Sequence, residues 1–168
     1  DPNHFINTKG RNDLVIHNGQ NANSTVGVIL EAKKPTNKVE MITTKKLNAK
    51  AFQELVLYYL RERITHKNLE VKYLVATNIN EWFIFDATLF DRLFAQNKNL
   101  VKQFNDFEGG RLADTKTDFF YKQIAEPFIN EFLPIFNKHH KSITDSEETV
   151  QIVYESHLFE AKMLTLLE

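Results

Sequence analysis

The chain has 168 residues, with 21 Lys+Arg against 22 Asp+Glu, no cysteine and 14 Phe. That length fits one domain with a real core. The missing cysteines exclude a disulfide framework, a thiol nucleophile and thiolate metal sites. No apolar run approaches the ~18 residues needed to span a bilayer, so no membrane is expected, and the near-neutral charge sum argues on its face against a nucleic-acid binder. Residue 1 is Asp rather than Met, which reads as a processed product or a fragment of a larger protein.

Residues 1–11 are polar and turn-like. Leu14-Val15-Ile16 reads as a short strand, followed by a turn-rich stretch from His17 to Ser24. Thr25 to Leu30 is nearly all apolar and predicts a strand buried on both faces. A lysine-rich segment then leads into a helical pattern from Asn48 to Ile64. There Phe52, Leu55, Val56, Tyr59 and Leu60 form the inward stripe, Gln53 and Glu54 lie off it, and Asn48 is placed as N-cap. Val71–Thr77 and Trp82–Phe85 read as strands joined by a short connection, with Trp82 in the core. The remainder is largely helical. Phe90, Phe94, Phe104, Phe107, Phe120 and Phe128 fall on apolar stripes read as core, with a stop at Gly109-Gly110 and interruptions at Pro127 and Pro134. Val150–Tyr154 reads as a further strand.

The residues that suggest chemistry sit at the end of the buried strand. Glu31 follows five apolar residues and a glycine, and Lys33 follows it on the same face. A buried charge needs a partner or a metal. If residues 12–16 and 25–33 form an antiparallel hairpin, pairing Asp13 with Glu31 centres the turn at residue 22, inside the polar stretch. Two carboxylates and an ammonium at one sheet edge can hold Mg²⁺ and activate water for phosphodiester hydrolysis. Glu-x-Lys alone carries little weight. Glu70-Val71-Lys72 and Glu160-Ala161-Lys162 repeat it without the buried strand or an upstream Asp hairpin.

Asp13…Glu31-Ala32-Lys33 resembles the PD-(D/E)xK nuclease superfamily. More closely, Gly10–Asn18, Ser24–Pro35, Leu47–Ile64, Thr77–Asp86 and Asp118–Tyr121 resemble the N-terminal nuclease domain of single-chain (type IIG) restriction–modification enzymes, over roughly residues 8–130. The resemblance implies a restriction-endonuclease-like α/β fold, with a central mixed sheet flanked by helices and a helical C-terminal half, as a single domain over residues 1–168. It further implies a cytoplasmic, Mg²⁺-dependent endodeoxyribonuclease (Mn²⁺ as an alternative) acting on double-stranded DNA. Methyltransferase and target-recognition domains are expected elsewhere in the parent protein. Asp13, Glu31 and the Ala32 carbonyl would hold the metal, and Lys33 would orient or deprotonate the attacking water or stabilise charge on the phosphate. Gln53 matches a helical glutamine near the metal, but the tyrosine usual four residues later is Leu57, with Tyr58 one further. Asn12 replaces the nominal proline, and only twelve residues precede Asp13 to carry the acidic residue many members place upstream.

Lys33, Lys34, Lys38, Lys45, Lys46 and Lys50 are opposed within residues 33–50 only by Glu40, which suggests a loop that meets DNA phosphates beside the site. Residues 145–168 carry six acids and one lysine, so the neutral sum is a cancellation between segments. His139-His140 read as solvated and His17 as a surface residue. The chain has no Gly-x₄-Gly-Lys-Ser/Thr loop, no Gly-x-Gly-x-x-Gly fingerprint and no Gly-x-Ser-x-Gly elbow. The competing expectation is a catalytically silent nuclease-like domain for DNA docking or scaffolding.

Overall fold

In the computed structural model, which describes residues 2–9 and 12–133 apart from the side chains of Asn12 and Asp13, five strands form one mixed sheet in the order β1-β2-β3-β4-β5. These are β1 (Ile6–Lys9), β2 (Asn12–His17), β3 (Val26–Ala32), β4 (Tyr73–Thr77) and β5 (Trp82–Asp86). The β2–β3 hairpin closes as its turn residues dictate. Leu14 pairs with Leu30, Val15 with Ile29 and Ile16 with Val28 before a bulge at His17. Extended by one step, this register sets Asp13 opposite Glu31 on the backbone.

β1 was not expected from a polar segment. Its side chains carry little alternation, and it forms because Ile6 and Asn7 pair with Ile16 and Val15 across the sheet edge. The apolar run of β3 is buried on one face only. Val15, Ile29 and Leu74 are fully covered, whereas Leu14, Ile16, Val28 and Leu30 on the other face are half-buried.

β3 and β4 are parallel, which demands a crossover, and α1 (Lys50–Leu60) supplies it, continuing into a π-helical turn at Arg61–Thr65. Phe52 packs edge-on against Phe85 of the sheet, with ring centroids 5.2 Å apart. The helix also touches the C-terminal helices on its far side, so every residue from 51 to 60 is buried. That burial all round is why Glu54, off the apolar stripe, is nonetheless inside the protein.

Two helical segments, α2 (Ala87–Phe90) with its π-helical extension Asp91–Ala95 and α3 (Lys98–Glu108), pack the phenylalanine stripes into the core, where Phe90, Phe94, Phe104 and Phe120 are fully buried. α3 ends as its glycines predict. Gly110 takes φ 65°, and the Gly110 and Arg111 amides donate back to the Phe107 and Asp106 carbonyls. The last described helix begins at α4 (Thr117–Phe119), widens into a π-helical turn at Phe120–Ala125 and runs on through 126–133. Pro127 therefore does not break it. The wide turn just before the proline absorbs the missing amide and the ring's bulk. Pro134, Val150–Tyr154, His139-His140 and the acidic segment lie outside the described residues.

Three further expectations are corrected. Asn48 does not cap α1, whose N-cap is Ala49. Its side chain instead donates to the Glu126 carbonyl and to Asn130 Oδ1. His17 is buried, its ring nitrogens 2.7 Å from the Ser24 carbonyl and 2.9 Å from Asn7 Oδ1. Trp82 is 42 % exposed, because β5 is an edge strand among the described residues and its first residue lies at the hairpin tip.

Candidate functional site

β3 delivers Glu31, Ala32 and Lys33 to the end of the sheet beside β4. Glu31 and Ala32 pair in register with Ala76 and Thr77, and the Lys33 amide donates to the Thr77 carbonyl at 2.8 Å. Glu31 shares the face of Ile29, which α1 covers, so its carboxylate is carried under the helix and is 3 % exposed. Lys33 Nζ reaches back to Glu31 Oε1 at 2.7 Å and across to Glu54 Oε2 of α1 at 2.5 Å. Two buried carboxylates from different elements thus converge on one ammonium. Burial alone would lower the Lys33 pKa, but the hydrogen bonds and charges of Glu31 and Glu54 outweigh it and hold the amine protonated well above its ordinary range.

A polar cleft of about 300 Å³ opens over this cluster, lined by Glu31, Ala32, Lys33, Lys50 and Glu54 on one side. The C-terminal helix closes it with Thr117, Asp118 and Tyr121, and Tyr58, one turn along α1 from Glu54, completes it. Burial raises the phenol pKa values of Tyr58 and Tyr121, and the nearby glutamates reinforce the shift, so both are neutral donors at physiological pH.

Of the residues singled out from sequence, Glu31, Ala32, Lys33 and Lys50 meet in the cleft. The side chain of Asp13 lies outside the described residues. Gln53 is not brought to the cleft. It is buried on another side of α1 and donates to Asn48 Oδ1 at 2.8 Å. The pair one position on occupies the site: Glu54 and Tyr58, four apart on one helical face. That spacing was present in the sequence, in register with the helix, where Gln53 and Leu57 left a mismatch. Asp118 and Tyr121 lay in a stretch that carried the resemblance, but no place in the site was assigned to them or to Thr117, since only the packing of distant helices brings them here.

The lysine-rich loop is anchored rather than loose. Met41 and Ile42 are buried at its centre, and Glu40 accepts from Lys50 Nζ at 3.1 Å, a bond that lowers the Glu40 pKa and raises that of Lys50. Lys34, Lys38, Lys45 and Lys46 remain exposed along it. Among the described residues, no set of three or more His, Asp or Glu side chains forms a ready-made metal cage. No helix among them is long and apolar enough to cross a membrane.

Fold and site together define an α/β domain with a mixed five-stranded sheet and an acid–lysine cleft at the end of its central strand. The chain belongs to the family described as Domain of unknown function (DUF7149), whose sequence model matches residues 1–166. A stretch of 102 residues is 38 % identical to a Flavobacterium johnsoniae protein named DNA replication and repair protein RecF, covering 56 % of this chain and 28 % of that protein. The chain thus spans little more than a quarter of that relative's length. No solved structure matches it.

Proposed function

We propose that this domain is a metal-dependent DNA endonuclease of the PD-(D/E)xK type, working in the cytoplasm as the cleavage module of a larger restriction–modification enzyme. The observation that carries the reading is the convergence of Glu31 and Lys33 from the end of β3 with Glu54 of α1, beneath an open polar cleft. The β2–β3 register supports it, since its pairs run to Leu14–Leu30 and one further step would set Asp13 opposite Glu31, as does the bank of exposed lysines that begins at Lys34. The partial similarity to a protein named for DNA replication and repair supports a DNA-related role at the coarser level.

The donor chemistry fits a hard divalent cation, since the acids and the Ala32 carbonyl offer oxygen and the chain holds no thiolate. Asp13, Glu31 and the Ala32 carbonyl would hold Mg²⁺ or Mn²⁺. When bound, such an ion polarises the phosphate and lowers the pKa of water. Lys33, held protonated, acts as a positioning cation for the phosphate and its developing charge rather than as a base. Lys50 lines the cleft and, with the exposed lysines, meets the flanking phosphates.

Plasmid nicking with Mg²⁺ tests the reading. Asp13→Ala, Glu31→Ala and Lys33→Ala are each expected to abolish cleavage with little loss of DNA binding, and full nicking by Glu31→Ala would refute it. One observation favours a second reading, a silent DNA-docking or scaffolding domain: Lys33 already pairs with both Glu31 and Glu54 where a metal would compete for them. Calorimetric titration separates the two, because a scaffold binds no Mg²⁺ or Mn²⁺ at millimolar concentration.

A further inference from the structure

The connection between β4 and β5 lies beside the cleft and is built unusually. It leaves β4 at Thr77, whose carbonyl accepts the Lys33 amide at 2.8 Å, so the tip begins next to the acid–lysine cluster and Lys34. Ile79 stands at φ 78°, a left-handed conformation that β-branched residues almost never adopt, and it is 71 % exposed. No burial compensates that strain. A web of short hydrogen bonds imposes it instead. Thr77 Oγ1 accepts from the Ile79 amide and donates to the Glu81 carbonyl, and Asn78 Oδ1 accepts from the Asn80 and Glu81 amides. Trp82 Nε1 donates to the Ile79 carbonyl at 3.1 Å, which fixes the half-exposed indole against the same tip. Strain held in place by surrounding structure is a mark of functional sites.

We propose that Ile79 and Trp82 form a rigid apolar prong that contacts the bases of duplex DNA while the neighbouring lysines hold its phosphates. The inference rests on the DNA reading above and adds a contact outside the cleft. Nucleic acid is the occupant that matches the pairing of an indole and an aliphatic wedge with an exposed lysine, Lys34, at the same end of the sheet: aromatic faces stack on bases, apolar wedges enter base steps, and lysines neutralise phosphate. Lys34 follows directly from the residue bonded to Thr77, which places cation and prong at one end of the sheet.

The chain contains a single tryptophan, so its fluorescence reports on this tip alone. The full chain is titrated with a duplex oligonucleotide in EDTA, which separates binding from cleavage, and acrylamide quenching of Trp82 is read with and without DNA. The expected result is that DNA lowers the quenching constant about twofold or more and that Ile79→Gly weakens DNA binding about tenfold. The same variant should raise Tm by about 3 °C, because glycine adopts the left-handed conformation without strain. DNA binding that leaves Trp82 open to acrylamide, with Ile79→Gly binding like wild type, overturns the prong and leaves the nuclease reading standing. Absence of any DNA binding overturns both. Shielding of Trp82 that depends on protein concentration and not on DNA overturns it in favour of self-association.

Discussion

At the scale of single residues, Lys33 decides what the site can do. Its ammonium is the shared partner of two buried carboxylates, so removing it takes away the cation bonded to both. Lys33→Met is therefore expected to cost about 3–5 kcal/mol at pH 7, read by urea unfolding, as for other broken buried pairs. Wild-type protein should show its pH dependence at the alkaline end. The Lys33 pKa is raised on folding, so its contribution is complete below the unfolded-state value of about 10.4 and is lost as pH rises above it. The buried phenol of Tyr58 works in the same direction, since its raised pKa favours the neutral form in the folded state. Stability that is level from pH 7 to 9 and falls steeply by pH 11 is the expected profile. A profile that rises between pH 9 and 11 would show that the clamp does not form in solution.

At the scale of elements, α1 separates two adjacent residues into different roles. Successive positions on a helix are about 100° apart, and here Gln53 and Glu54 face different partners. Gln53 knits α1 to the C-terminal helix through Asn48, whereas Glu54 and Tyr58 face the cleft. Glu54→Gln is expected to reduce Mg²⁺-dependent nicking at least tenfold, and Gln53→Ala to retain it while losing about 1–2 kcal/mol of stability. The opposite pattern would return the role to Gln53. The same helix shows what was legible in the sequence. Its span was readable from apolar spacing, and the β2–β3 register from turn composition, because both are local. The burial of Glu54 was not, because it depends on a helix sixty residues away covering the polar side. Nor was β1, whose only reason to be a strand is the neighbour it pairs with, nor the helix through Pro127, where a widened turn overrides a breaker.

At the scale of the whole molecule, the charge sum of −1 conceals how charge is arranged. The loop after β3 runs from the cleft through Lys34, Lys38, Lys45 and Lys46, all exposed, and buried Met41 and Ile42 pin it to the core. Anchoring matters energetically. A lysine loop that must be ordered on binding loses part of its electrostatic gain to conformational entropy, whereas this one presents its charges from a fixed frame. If these residues meet DNA, affinity must fall with salt, by a logarithmic slope of about 0.9 for each phosphate neutralised. Replacing Lys34, Lys38, Lys45 and Lys46 together by alanine is then expected to flatten that slope by about 2 or more, measured by fluorescence anisotropy with a duplex in EDTA. Lys102→Ala provides the control, because this exposed lysine of α3 is paired with Asp106 and belongs to a different element. The fold should be untouched in both variants, since none of the five side chains is buried and exposed pairs contribute little to stability. An unchanged slope in the four-lysine variant, with DNA still bound, would move the phosphate contacts to another face and detach the cleft from the exposed cationic segment that begins at its edge.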